Sequence, residues 1–163
     1  MATTSKQFRR VPYPTTQLRE IVWRFREVEE LPAGFVRDHL ITSPDTFVEQ
    51  YRFLFDTSIC EKVVVFLLNA RCAVYAIETV TTGTISESLI HPREVYRAAV
   101  LGMASAIIVA HNHPSGDPEP SKEDVEVTVK LKQASEILRI GFTDHIIFGS
   151  NGKYTSMRER GII

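Results

Sequence analysis

The segment Lys62-Val63-Val64-Val65-Phe66-Leu67-Leu68 constrains the fold more than any other stretch of the chain. It is too short for a core helix, and it offers no polar face to water as a half-exposed strand would. A run of β-branched and aromatic residues without interruption belongs in the middle of a sheet covered on both faces. With 163 residues, 44% of them apolar, the chain has enough material for one domain built around such a strand without help from disulfides.

The remaining elements follow from local patterns. Apolar residues at three- and four-residue steps from Gln17 to Glu30 (Leu18, Ile21, Val22, Phe25, Val28) predict an amphipathic helix ended by Leu31-Pro32-Ala33-Gly34. Ser43-Pro44-Asp45 predicts a second helix start, capped by Ser43 with Pro44 in its first turn and Phe47, Val48, Tyr51 and Leu54 on one side. Strands are expected over 73–80, 106–110, 145–148 and 154–156, with a short extended piece at 88–90 and a turn at Ser150-Asn151-Gly152. Pro92 begins a helix carrying Val95, Tyr96, Ala99, Val100 and Met103. Ser121 caps another that runs to about Leu138, with Val125, Val129, Leu131 and Ile137 as its buried side. Residues 1–40 read as an arm plus one helix and residues 41–163 as the domain proper. Helices and strands interleave without strict alternation, which predicts a mixed α/β sandwich.

Charge narrows the partners. A net charge of -1 gives no general pull toward nucleic acid or anionic membrane, although Lys6, Arg9 and Arg10 make the first dozen residues locally basic. No apolar run reaches the ~18 residues of a membrane span, and the polar N-terminus lacks the apolar block of a secretory signal, so a cytoplasmic protein is expected. A hairpin turning near Ala70 puts Cys72 opposite residue 68 and far from Cys60, so no disulfide is expected.

Chemistry concentrates at the end of the 106–110 strand, in His111-Asn112-His113-Pro114-Ser115-Gly116-Asp117-Pro118-Glu119-Pro120-Ser121-Lys122-Glu123-Asp124. Side chains two apart on an extended strand point the same way, so His111 and His113 can reach one ion while Asn112 faces the other side. The proline-rich loop can fold Asp124, one turn into the next helix, back as a third ligand. Three protein ligands leave a fourth tetrahedral position for water, the layout of a catalytic zinc site. Two histidines alone carry little weight, and Ser121 followed by Asp124 also has the spacing of a purely structural helix cap. The combination carries the metal reading.

His111-x-His113-Pro114 followed by Pro120-Ser121-x-x-Asp124 resembles the JAMM motif of the JAB/MPN metalloproteases, and His111 to Pro118 is specifically similar to the RadC family. His91-Pro92-Arg93-Glu94-Val95 and Asp144-His145 extend the likeness across residues 41–163. The resemblance implies a cytidine-deaminase-like JAB/MPN three-layer sandwich, a mixed sheet flanked by helices. It further implies Zn2+ held by His111, His113 and Asp124, a Ser121 hydroxyl assisting the water or the oxyanion, and an upstream glutamate base. Glu61 occupies that place, with Glu78 as competitor. Zinc lowers the pKa of its water to about 7, and a carboxylate can then carry the proton to a leaving amine. The reaction implied is hydrolysis of a peptide or isopeptide bond in an unidentified peptide or protein substrate; related eukaryotic enzymes cleave isopeptide bonds to ubiquitin. Longer family members carry a helix-hairpin-helix segment whose glycine pattern is absent from residues 1–42, which weakens any DNA role.

The rival from another class is a non-catalytic protein-binding or nucleic-acid-associated module on the same fold, in a DNA-repair or mobile-element context, for which salt-dependent DNA affinity surviving zinc removal is the sign. A metal-dependent nuclease is disfavoured, since phosphodiester cleavage recruits paired metals and several carboxylates. His91 reads as a cap or solvated residue, His145 as a hydrogen-bonded structural histidine, Asp117 and Glu119 as turn formers, and Trp23 as core or interface.

Overall fold

A computed structural model of the chain describes residues 22, 24–27, 31–33, 35–56, 58–83 and 90–163. The expected helix over 17–30, including Trp23, and the extended piece at 88–90 fall mainly outside the described residues; those described in the first region, 22 and 24–27, are not helical.

The sheet is built from β1 (Lys62–Leu68), β2 (Val74–Thr82), β3 (Ala106–Asn112), β4 (Gly141–Phe148) and β5 (Tyr154–Ser156), in the spatial order β2-β1-β3-β4-β5. β1 is antiparallel to both of its neighbours, β3 and β4 are parallel, and β5 returns antiparallel along β4, so the sheet is mixed. Among the described residues three α-helices flank the sheet: α1 (Pro44–Tyr51), α2 (Pro92–Leu101) and α3 (Lys122–Leu138).

Lys62–Leu68 sits centrally because both of its faces are covered. Val63, Val65 and Leu67 join a core with Val95, Tyr96 and Ala99 of α2 and Val127 and Leu131 of α3. Val64, Phe66 and Leu68 join a second core with Phe47, Val48 and Tyr51 of α1. Helices on opposite faces of one sheet make the three-layer sandwich, and each face of β1 pays the same demand for apolar side chains. α1 begins where the sequence places it: Ser43 caps Thr46, and the Thr46 hydroxyl oxygen accepts from the Ser43 N–H at 3.1 Å, closing a capping box.

Three expectations need correction. β2 continues through Thr82, two residues past the predicted end, and the turn starts at Gly83 with φ +135°, a conformation that favours glycine. Met103 lies outside α2; with φ 57° and 89% exposure it belongs to the turn after the helix. α3 buries Asp124, Val127, Thr128, Leu131 and Ser135, whereas Ile137 is 82% and Val129 40% exposed. The inward face of α3 keeps Leu131 as expected but also carries Asp124, Thr128 and Ser135, whose side chains are hydrogen-bonded, so choosing a face by apolarity alone misplaces Val129 and Ile137.

The loop between β3 and α3 is seated on the β4–β5 turn. The Ser150 N–H donates to the Gly116 carbonyl at 2.8 Å, and Arg52 reaches across to the Gly149 carbonyl at 3.0 Å. A Cβ on Gly149 would lie 2.6 Å from both Gly116 O and Pro118 Cδ, so this residue must be glycine for the loop to approach. Gly149→Ala is expected to cost about 1–3 kcal/mol in denaturant unfolding, as overpacking does. Wild-type stability in that variant would show that the loop is not held there.

Candidate metal centre

β3 delivers His111 at its penultimate position, and the chain leaves the sheet at His113, whose N–H donates to the Phe148 carbonyl at 3.0 Å. The loop then returns to the first turn of α3, where Asp124 faces back toward the strand end. His111 Nε2 lies 3.0 Å from His113 Nε2, 3.2 Å from Asp124 Oδ1 and 3.8 Å from Glu61 Oε1, and His113 Nε2 lies 3.4 Å from Asp124 Oδ2. Glu61, His111, His113 and Asp124 each offer one donor atom, all within 4.8 Å of one another. The sequence thus names all four members of the cluster. Glu78, the rival glutamate, is outside it and pairs with Arg97 of α2.

The donors fit a divalent cation. Ligand atoms about 2.0–2.1 Å from a tetrahedral ion are about 3.3 Å apart, close to the spacings between the imidazoles and Asp124. His113 Nδ1 lies 2.7 Å from the Asp117 carbonyl, which can only accept, so Nδ1 carries hydrogen and Nε2 is the nitrogen available to the cluster. Two imidazole nitrogens and a carboxylate at this separation suit a divalent transition metal.

Ser121 caps α3, and both readings of the Ser-x-x-Asp spacing hold at once. The Ser121 N–H and hydroxyl donate to Asp124 Oδ2 at 2.8 and 2.6 Å, while the Asp124 N–H donates to Ser121 Oγ at 3.1 Å. Burial alone would push the Asp124 carboxyl up, but the neighbouring His111 and His113 imidazoles and the Ser121 hydroxyl together hold it well below the usual carboxylate range. The Asp124 hydrogen bond, opposed by burial and aided by Asp117, raises the His113 pKa above its ordinary 6.5.

Asn112 contributes in a way the sequence did not disclose. It faces away from the histidines, as expected, and there its side chain accepts from Lys62 N–H at 3.0 Å and donates to the Cys60 carbonyl at 3.2 Å. The residues on either side of Glu61 are therefore tied to β3, and the Glu61 carbonyl accepts from Gly83 N–H at 2.8 Å. A groove of about 470 Å³, lined by Arg52, Phe55, Asn112, His113, Pro114 and Phe148 among others, opens beside His113.

His91 stands at the N-cap of α2, exposed and without a side-chain cap bond. Asp117 and Glu119 shape the loop: the Glu119 N–H donates to Asp117 Oδ1 at 3.1 Å, and Glu119 pairs with Arg160 through two 2.6 Å contacts. His145 is buried and hydrogen-bonded, as expected, but its partners are informative. Its Nε2 lies 2.9 Å from His111 Nδ1, and its Nδ1 lies 2.6 Å from Thr128 Oγ1. The only sequence signal for this contact was Asp144-His145 at a strand that returns beside β3.

Burial, with the His111 charge adding to it, pushes the His145 pKa down to about 3. A lowered histidine pKa contributes stability above the unfolded value of about 6.5 and loses it as pH falls toward the folded value. His113, with a raised pKa, contributes fully below about 6.5 and loses its contribution only as pH rises. Metal-free protein should therefore lose roughly 2 kcal/mol between pH 6.5 and 5, before carboxylates titrate, at ~1.4 kcal/mol per pH unit. Denaturant titrations across that window check it, and a flat profile would contradict a neutral His145.

The family model described as RadC-like JAB domain matches residues 36–162. A UPF0758 protein of Symbiobacterium thermophilum is 50% identical over 103 residues, 63% of this chain and 44% of the relative. One from Staphylococcus haemolyticus is 52% identical over 101 residues, 62% of this chain and 44% of the relative. One from Clostridium beijerinckii is 38% identical over 146 residues, 90% of this chain and 62% of the relative. The chain thus spans about half the length of the curated relatives it matches. With a five-stranded mixed sheet between helical layers and the family match covering most of its length, the chain belongs to the RadC-like JAB domain family.

Proposed function

We propose that this chain is a zinc-dependent hydrolase of peptide or isopeptide bonds. The observation that carries the reading is the convergence of His113 Nε2 and Asp124 Oδ1 on His111 Nε2, at 3.0 and 3.2 Å, with Glu61 at the margin at 3.8 Å. His111, His113 and Asp124 hold the cation, which when bound supplies Lewis acidity toward water or a carbonyl oxygen.

The remaining work falls to the chain's own groups. Glu61, whose side chain is 18% exposed, takes a proton from the attacking water at its carboxylate and returns it to the leaving nitrogen. Asn112 keeps that carboxylate beside His111 by tying Cys60 and Lys62 to β3. Ser121 orients Asp124; its one hydroxyl hydrogen points to Asp124 Oδ2, so its service to the oxyanion requires that hydrogen to turn from the carboxylate when substrate binds. The substrate enters along the groove beside His113, where Pro114 offers apolar contact over a floor that includes Phe55 and Phe148. The reading is supported by the donor chemistry and by membership in a JAB-domain family.

Among the described residues no helix is long and apolar enough to cross a membrane, and Cys60 and Cys72 are free. A cytoplasmic location belongs to the same proposal, because unpaired thiols suit a reducing compartment. Metal analysis of the purified protein, followed by a peptide and isopeptide library with a chelator control, tests the function. Chelator-sensitive cleavage of an amide bond is the expected result; zinc binding with no cleavage in any library would overturn the hydrolase reading in favour of a binding module.

A further inference from the structure

We propose that Thr128 and His145 are positioning residues that fix the tautomer of His111, so that its Nε2 presents a lone pair to the cation. This rests on the metal reading above; the 3.0 Å contact between His111 Nε2 and His113 Nε2, bridged by the cation when bound, is met in the metal-free chain by a second hydrogen on His113, at Nε2. Thr128 Oγ1 lies 2.6 Å from the Asp124 carbonyl oxygen and 2.6 Å from His145 Nδ1. Both contacts require a hydrogen, the hydroxyl has one, and the carbonyl has none to give. The hydroxyl therefore donates to the carbonyl, and His145 Nδ1–H donates to the hydroxyl. Neutral His145 is then bare at Nε2, which lies 2.9 Å from His111 Nδ1 and must accept from it. With its hydrogen on Nδ1, neutral His111 is bare at Nε2, the nitrogen 3.2 Å from Asp124 and 3.0 Å from His113 Nε2.

The chain of bonds runs through the interior. Thr128 is 0% exposed, and His111 and His145 1% each, so no water competes for the Nδ1 positions. The relay starts at the Asp124 main chain and ends at a neighbour of the Asp124 side chain. It ties the helix that carries one ligand to the strand that carries another. His113 reaches the same tautomer separately, through the Asp117 carbonyl. Outer partners of this kind orient ligating imidazoles and typically change metal affinity 10–100-fold when removed.

Thr128→Val keeps the shape and removes the hydroxyl. His145 Nδ1–H would then face a methyl group, and the pair recovers by moving the His145 hydrogen to Nε2, donating to His111 Nδ1 and shifting the His111 hydrogen onto Nε2. Long-range 1H–15N NMR of the metal-free, full-length chain at about pH 8, above the ordinary histidine range, reads these positions directly. Wild type should show Nδ1–H on His111 and His145, and Thr128→Val should show Nε2–H on both. Zinc affinity, read by chelator competition, should fall 10–100-fold in Thr128→Val and recover in Thr128→Ser. Nε2–H on His111 in the wild type, or unchanged tautomers and affinity in a folded Thr128→Val, would overturn the proposal. A wild type that shows the Nδ1–H pattern yet binds no zinc would sink the metal reading while leaving the tautomer assignment standing.

Discussion

Glu61→Gln is expected to retain zinc and to lose about a thousandfold in kcat/KM, within the range of roughly 10²–10⁴ that a positioned acid–base group supplies. Glutamine preserves size and hydrogen bonding at the mouth of the cluster but can neither take a proton from water nor deliver one to a leaving nitrogen. Glu61 lies 3.8 Å from His111 Nε2, farther than either Asp124 or His113, so it sits beside the three donors and its carboxylate is not needed to hold the ion. Two measurements separate the roles. Zinc stoichiometry should stay at one in the variant, and turnover of any substrate found by the library should collapse. Loss of zinc would make Glu61 a ligand, and full activity would remove it from the mechanism. Glu78→Gln is the control: its partner is Arg97, and turnover should stay near wild type.

Asp124→Ala should abolish zinc binding at micromolar metal, raising Kd by about a thousandfold or more, because one of three ligands is gone. It also strips the Ser121 N–H and hydroxyl of the carboxylate oxygen they share at 2.8 and 2.6 Å. The metal-free protein should lose on the order of 1 kcal/mol from the broken cap. The larger loss is conditional on metal, since a ligand present at 100 times its Kd stabilises by about 2.7 kcal/mol and Asp124→Ala forfeits that increment. Thermal melts with and without zinc check this: wild type should shift upward with metal and the variant should not. His113→Ala, which leaves the cap intact, should lose the zinc shift alone. A metal-dependent shift surviving in both variants would place the ion elsewhere.

Much of this was legible before any coordinates, for physical reasons. β1 could be read because burial on both faces demands an unbroken apolar run, and α1 because Ser43-Pro44 carries its own start signal. The four cluster residues could be read because metal chemistry restricts residue type and spacing together. What stayed hidden depended on contacts between distant segments. Asn112 clamps the residues flanking Glu61, and nothing in its neighbourhood announces a partner fifty residues away. Thr128 looks like an ordinary helix residue until His145 arrives from β4. The inner face of α3 was read only in part, at Leu131, for the same reason: Asp124, Thr128 and Ser135 are buried and hydrogen-bonded, and a search for apolar periodicity passes over them.

The central claim is that the strand end and the helix cap hold one divalent ion between them. Zinc-edge anomalous diffraction from crystals grown with the metal tests it most directly. The account predicts a single strong peak within bonding distance, about 2.0–2.2 Å, of His111 Nε2, His113 Nε2 and an Asp124 oxygen. A map with no peak there, and the three side chains turned away from one another, would contradict it.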